Sequence, residues 1–401
     1  MSRPRDASPP AASTPPGAKV GCFGALALVA FGVLLGLVAV EIGLRLFVPV
    51  EAVFVKWDPV LGVRHRPGMK SWWYRETHGN RVWVEINSLG FRSPEIQREK
   101  PPGTLRVLMM GDSYLEGMQL PMEQVVSERL RALLEDSLPG RRIEVVNAGN
   151  MGYGQAEQSL FLNREGWALA PDLVISMLYL GNDLTDNWSG TGSRIRPSYD
   201  LAGDSLVLRP PHLPGWKIFL RDHVLAHLAL PKAIRMYMIH SVPWAKRWAA
   251  EQGLILRDLG RAESHDDLDR MMAVTQRLLD RMRQDCDAHG VPLVVFEFPH
   301  GFDVVRAYPD STYMPIKMWR DARGAAWEWD YVHQGMRRYW DRSAQRRVDG
   351  TSGFNAGAAR GDTLYIDFGG HWNARGHDLA AWLLADYVMK NRLLGEPAPG
   401  S

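Results

Sequence analysis

Leu105-Arg106-Val107-Leu108-Met109-Met110-Gly111-Asp112-Ser113 carries an apolar run straight into a glycine, an acid and a serine. Val107 to Met110 is short, apolar and bounded by Gly111, the pattern of a fully buried strand of a parallel sheet. Gly111 lets the backbone turn sharply. Asp112 and Ser113 then fall at the strand's carboxyl end, where open α/β sheets place ligands. A helical pattern follows from about Met122 to Leu134, with Val125, Val126, Leu130, Leu133 and Leu134 on one face. Ser113 is therefore expected at a strand-to-helix junction, where the amides of a helix N-terminus can face a developing anion. Taken alone, Gly-Asp-Ser is more often a turn with a serine N-cap than a nucleophile.

Further strands are expected at Ile143–Asn147, Leu173–Leu180, Pro292–Phe298 and Thr363–Ile366, with Arg106–Met110 the first. Helical patterns lie between them, which argues a parallel sheet with helices on both faces. Between Asn182 and Val291 lie about a hundred residues, long for a loop. The part at about 188–265 reads as a helical insertion covering the sheet's carboxyl edge, with an amphipathic helix from Val224 to Ala250 interrupted near Pro231 and Pro243. A further aromatic-rich helix is expected at about Ala325 to Arg342, and another at Asp267 to His289.

Ahead of the sheet the chain changes character three times. Residues 1–19 are rich in Pro, Ala and Ser and are expected to be a disordered tail. Val20 to Val40 has no charged residue, enough to span a bilayer, and a transmembrane anchor is assigned to 20–46. A cleaved signal peptide competes with it; the run is long for one and no small-x-small site follows. Cys22 opens the apolar run instead of following it, which argues against a lipoprotein. Residues 47–100 mix aromatics with turns, and Val82 to Asn87 alternates like a half-buried strand; this is read as a β-rich collar. The core domain is placed at 101–394, with a short tail at 395–401. The net charge of +2 and scattered Lys and Arg give no reason to expect nucleic acid. Cys286 is the one cysteine outside the apolar segment, so no internal disulfide is available there, and it is read as a core residue.

Three later blocks change the reading of Ser113. Val145-Val146-Asn147-Ala148-Gly149-Asn150-Met151-Gly152-Tyr153-Gly154 ends the second strand. Leu178-Tyr179-Leu180-Gly181-Asn182-Asp183 ends the third, and His371-Trp372-Asn373 comes near the C-terminus. Together with Gly111-Asp112-Ser113 they resemble the SGNH hydrolase family, the GDSL esterases and lipases, over roughly Asn87 to Leu394. Asn87-Ser88-Leu89-Gly90-Phe91-Arg92 further resembles a segment of its membrane-anchored, envelope-type members. The resemblance implies a three-layer α/β/α sandwich with a mostly parallel, flavodoxin-like sheet, and a catalytic domain outside the cytoplasm, periplasmic or at the cell surface.

It also implies roles. Ser113 would be the nucleophile and His371 the base that takes its proton. The oxyanion would be met by the amides of Ser113 and Gly152 and by the side-chain amide of Asn182. Asp183 and Asp186 are read as loop braces. The family's acid usually precedes the histidine by two or three residues, but Phe368 and Gly369 stand there. Asp367, four residues before His371, completes a triad if the glycine pair bulges; otherwise the site is a dyad. No cofactor or metal is expected. His223 and His227 have helical i, i+4 spacing but no zincin glutamate and no third ligand. His377 is read as a cap of the last helix, and His300 as a loop histidine. The implied activity is hydrolysis of an acyl ester, acetyl for preference, on a cell-envelope or exported polysaccharide. Transfer of the acyl group to a sugar hydroxyl, a lipid ester substrate, and a non-catalytic polysaccharide-binding role stay open.

Overall fold

The computed structural model describes residues 21–48, 52–74, 81–191, 194–242, 265–299, 301, 304, 329–366 and 371–395. The chain divides into two compact units, Met1–Pro49 and Val50–Ser401. The described part of the first is one helix, α1 (Cys22–Phe47). Its 26 residues span roughly 39 Å, more than the roughly 30 Å of a bilayer's hydrocarbon core. Mean hydropathy reaches 2.6 in its most apolar window, and none of that window is buried. The helix is long and apolar enough to cross a membrane, and a signal sequence meets the same criteria.

The second unit opens with two antiparallel hairpins, β1 (Val55–Asp58) with β2 (Gly62–His65) and β3 (Lys70–Tyr74) with β4 (Arg81–Glu85). Strand alternation sends Trp73, Val82 and Val84 inward to pack with Phe54, Ile86 and Met118. Trp72 and Trp83 pair across the strands on the exposed face, with ring centroids 5.4 Å apart. The core then runs β5 (Thr104–Met110), α2 (Ser113–Glu116), α3 (Val126–Ser137), β6 (Arg142–Asn147), α4 (Gln155–Phe161), β7 (Leu173–Tyr179) and α5 (Asp183–Asn187). A hairpin follows, β8 (Ser198–Ala202) with β9 (Ser205–Arg209), then α6 (Gly215–Phe219), α7 (Ala229–Ser241) and α8 (His265–Ala288). The chain closes with β10 (Leu293–Phe298), α9 (Trp329–Arg342), β11 (Arg346–Asp349), α10 (Gly350–Ala359) and α11 (Ala374–Lys390).

Five parallel strands form one sheet in the order β11-β10-β7-β5-β6. Numbered along the chain this is 2-1-3-4-5 read from the β6 edge, the flavodoxin-like order. Successive residues of β5 face opposite layers. Val107 and Met109 pack with α3 and α11; Leu108 and Met110 pack with α4 and with Met282 and Cys286 of α8. Both faces are covered, which is why β5, β7 and β10 read as mainly apolar, interrupted inside the strands only by Arg106, Ser176 and Glu297. Each such Leu, Val or Met contributes on the order of 1.5–3 kcal/mol by leaving water.

Three expectations are corrected. The fifth strand is Arg346–Asp349, not Thr363–Ile366. An edge strand needs few inward apolar residues, and here Val348 is buried while Arg346 and Asp349 are exposed, so no apolar run marks it. Residues 363–366 instead form one arm of a turn, joined by the single bridge Tyr365↔Trp372. Next, the insertion is not purely helical, since β8 and β9 open it. Finally, the helix expected from Val224 starts only at Ala229. The interruption expected near Pro231 falls at Leu228, which is extended (φ −100°, ψ 136°). Pro231 is the third residue of α7, in the first turn, where a missing N–H breaks no intrahelical bond. Pro243 lies outside the described residues.

Candidate active site

Strand β5 lies between β6 and β7, so its carboxyl end is flanked by the loops leaving both. Chain order reverses between β5 and β7, and doubly wound sheets gather ligands in the crevice at such a reversal. Ser113 follows β5, Gly152 follows β6 and Asn182 follows β7, so all three come to one sheet edge.

Ser113 is the first residue of α2, and Asp112 is its N-cap, with Oδ1 accepting from the Tyr114 amide at 2.9 Å. The cap is thus the aspartate and not the serine. Because α2 has four residues, its macrodipole is slight, and the Ser113 amide counts as a single donor. Gly111 is required for close approach and not for a left-handed turn: a Cβ there would lie 2.7 Å from Met177 Cβ, and its φ is not positive. The ladder continues past the strand ends, with the Ala148 amide donating to Met109 O at 2.9 Å and the Asn150 amide to Gly111 O at 3.0 Å. The Asn147 side chain donates to Leu115 O at 2.7 Å and accepts from the Gly149 amide at 3.0 Å. These bonds lay the Gly152 loop alongside the serine.

Gly152 sits at φ +73°, a conformation that resists a Cβ. Among the described residues no hydrogen bond engages the amides of Ser113 or Gly152. Asn182 is buried and donates through Nδ2 to Asp186 Oδ2, which uses one of its two N–H bonds. Asp183 Oδ2 accepts from the Tyr179 amide at 2.9 Å and from Gln155 Nε2 at 3.1 Å. Both aspartates brace the loop.

His371 reaches the same place from the far end of the chain. Its Nε2 lies 2.7 Å from Ser113 Oγ. The turn that delivers it is held by the Ile366 amide donating to His371 O at 2.9 Å and the Asn373 amide donating to Leu364 O at 3.0 Å. Trp372 is fully buried among Tyr114, Phe296, Phe298 and Phe354. The Tyr114 ring also packs against the imidazole, with centroids 5.0 Å apart. Asp367 and the glycine pair lie outside the described residues, as does His300.

His377 does not cap its own helix; Asn373 does, accepting from the Gly376 amide at 3.1 Å. His377 is fully buried in α11, and its Nδ1 accepts from the Val126 amide at 3.1 Å, the first amide of α3. Burial, with Arg92 and His371 nearby, pushes it down to about 3, so it accepts as a neutral imidazole. His223 and His227 fall on consecutive non-α turns, so their i, i+4 spacing is not that of an α-helix. Among the described residues no three His, Cys, Asp or Glu side chains are grouped to hold a metal.

The site carries several buried acids. Burial pushes Asp112 up to about 7 and Glu157 to about 8, and it raises Asp186 to about 6. Burial also raises Asp183 well above the carboxylate range.

The sequence reading missed three braces. Arg92, fully buried, donates to the carbonyls of Glu116, Gly117 and Leu120 at the end of α2. Burial pushes it down to about 10, still charged at neutral pH. His65 Nε2 lies 2.6 Å from Glu116 Oε1, both buried. Arg196 donates to Gly152 O and to Met151 O, each at 2.7 Å. Arg92 falls in the segment already singled out by resemblance; nothing in the sequence marks His65 or Arg196.

No protein-family model matches the chain, and neither does any curated protein. Among solved structures it is similar to LAE5, an alpha/beta hydrolase from the metagenome of Lake Arreo, Spain. That match has 14% identity and a TM-score of 0.37, covering 71% of this chain and 95% of that one. The acetylxylan esterase Axe2 of Geobacillus stearothermophilus matches at 14% identity and TM-score 0.34, over 71% of this chain and 95% of its own. A two-domain esterase, CEX, active on acetylated mannans, matches at 11% identity and TM-score 0.38, over 74% of this chain and 52% of its own. At these identities and TM-scores the likenesses say nothing of the chemistry here.

Proposed function

We propose that this chain is a serine esterase of the SGNH type. The observation that carries the reading is the 2.7 Å contact between Ser113 Oγ and His371 Nε2, at the sheet edge that also holds Gly152 and Asn182. The imidazole takes the Ser113 proton as Oγ attacks the ester carbonyl. The developing oxyanion is met by the Ser113 amide, the Gly152 amide and the free N–H of Asn182. His371 then protonates the leaving alcohol, and an acyl-Ser113 intermediate remains. Water, activated by the same imidazole, releases the acid. Asp367 is the group we assign to orient His371.

The substrate we propose, following the resemblance, is an acetyl ester on a cell-envelope or exported polysaccharide. We further propose that α1 remains attached as a single-pass anchor and holds the catalytic unit outside the cytoplasm. A fluorophosphonate should label the protein once, at Ser113, and p-nitrophenyl acetate should be turned over. Labelling that survives Ser113→Ala would overturn the nucleophile. For the anchor, the mature chain isolated from membranes should retain Cys22–Phe47; a mature N-terminus beyond Phe47 would reject it.

A further inference from the structure

Arg196 lies in the insertion, just before β8, about 45 residues from the loop it touches. Its guanidinium donates to two successive carbonyls, Met151 O and Gly152 O, each at 2.7 Å. No cis peptide occurs among the described residues. A trans peptide is planar, with its C=O and the following N–H pointing in opposite directions. The Met151 carbonyl and the Gly152 amide belong to one such unit, so whatever fixes the carbonyl fixes the direction of the N–H. The next unit is clamped on both sides, because its carbonyl meets Arg196 while the Tyr153 amide donates to Asn150 O at 3.0 Å. The Met151–Gly152 unit is held only from the carbonyl side, and its N–H engages no described partner.

We propose that Arg196 is the positioning residue of the oxyanion hole, gripping the Met151–Gly152 peptide from behind and aiming the Gly152 amide at the carbonyl attacked by Ser113. The inference rests on the esterase reading and deepens it. A cation on the carbonyl oxygen also polarises the peptide and makes its N–H a better donor. Gly152 is the residue this arrangement needs, because a Cβ there would lie 2.6 Å from the guanidinium and its φ is +73°.

The grip is itself anchored. Glu157, fully buried in α4, lies 3.6 Å from Arg196 and accepts from the Gly154 amide at 3.0 Å, closing the loop behind the guanidinium. The backbone of Ile195 and Arg196 presses on Gly62, where a Cβ would lie 2.3 Å from Ile195 O, so the β1–β2 turn seats the segment. The charge of Arg196 also acts on Asp186, which holds the side chain of Asn182. One cation thus reaches two of the three oxyanion donors.

The test uses the full-length chain in detergent, with p-nitrophenyl acetate turnover and fluorophosphonate labelling as readouts. Arg196→Gln should lower kcat by about a hundredfold, the scale of losing one preorganised donor, with KM changed by less than about threefold. Arg196→Lys should recover part of the loss, since one ammonium replaces a two-point grip. Arg196→Gly should be partly rescued by millimolar guanidinium. Labelling of Ser113 should slow in parallel with kcat in each variant, because the phosphonyl oxygen occupies the same hole. Melting temperatures report folding, and where Arg196→Gln melts early, Arg196→Lys and the rescue decide. Turnover within about twofold of wild type in Arg196→Gln overturns the inference and leaves the esterase reading intact. So does a loss that follows the folded fraction and is not rescued. A wild-type chain that neither labels nor turns over ester overturns the esterase reading and this inference with it.

Discussion

The two sides of the candidate site are built differently. The serine side is assembled from three adjacent parallel strands, and its parts lie between Ser113 and Asn182 in sequence. It is cross-tied by Asn147, by the continued β5–β6 ladder and by the three carbonyls that Arg92 satisfies. The histidine side is one turn near the chain's C-terminal end, tied among the described residues by the backbone bonds at Ile366 and Asn373, by the Asn373 side chain donating to Thr363 O, by Gln119 donating to Trp372 O and by the buried Trp372. The difference teaches where tolerance should lie. A side chain fixed by many shared constraints survives the loss of one, whereas a side chain on a turn depends on each tie and on whatever orients it directly.

The largest effect expected from this contrast is at Asp367. If it orients the imidazole, Asp367→Ala should lower kcat by roughly four orders of magnitude, as loss of a triad acid does elsewhere. Its effect should add little to that of His371→Ala. Steady-state turnover of the two single variants and the double variant decides it, and near-wild-type turnover in Asp367→Ala would make the site a dyad. On the serine side, Asn182→Ala removes one donor among three and should cost about 3 kcal/mol in the barrier, seen in kcat more than in KM. An unchanged kcat would remove Asn182 from the oxyanion hole.

The last effect, on stability and not on turnover, concerns the joint between the two sides, where His377 of α11 accepts from the first amide of α3. In the unfolded chain this histidine takes a proton near pH 6.5; in the fold it does so only near 3. Between those values the unfolded state holds the extra proton, so stability falls as the pH drops through that window. The slope from one such group approaches about 1.4 kcal/mol per pH unit. Asp112, Asp186 and Glu157, raised by burial, act with the opposite sign, so the difference between variants is the quantity to measure. His377→Gln keeps an acceptor for Val126 and should flatten the contribution. Denaturant midpoints from pH 4 to 7 that keep the wild-type slope would assign the acid sensitivity elsewhere.

Strands buried on both faces announce themselves, so β5, β6, β7 and β10 were legible to within two residues at either end. The edge strand β11 was not, because Arg346-Arg347-Val348-Asp349 needs one inward side chain and shows no apolar run. The apolar Leu364-Tyr365-Ile366 was misread for the same reason in reverse: those side chains serve a buried turn and not a ladder. The meeting of Ser113 with His371 was legible from the order of the blocks that resemble the SGNH family. Arg196 and the His65–Glu116 pair were not, since each depends on a contact across 45 or more residues with no local periodicity to betray it.

His371 meets Ser113 across 258 residues of sequence, and α11 packs against α3. Contacts of that span are entropically late in folding, because the loop they close must be ordered first. The serine can be seated on its three strands before the base arrives. A chain still emerging from the ribosome would carry Ser113 on its strand without the imidazole proposed to take its proton. On the proposed mechanism, ester turnover would then begin only once the C-terminal segment has been made and packed.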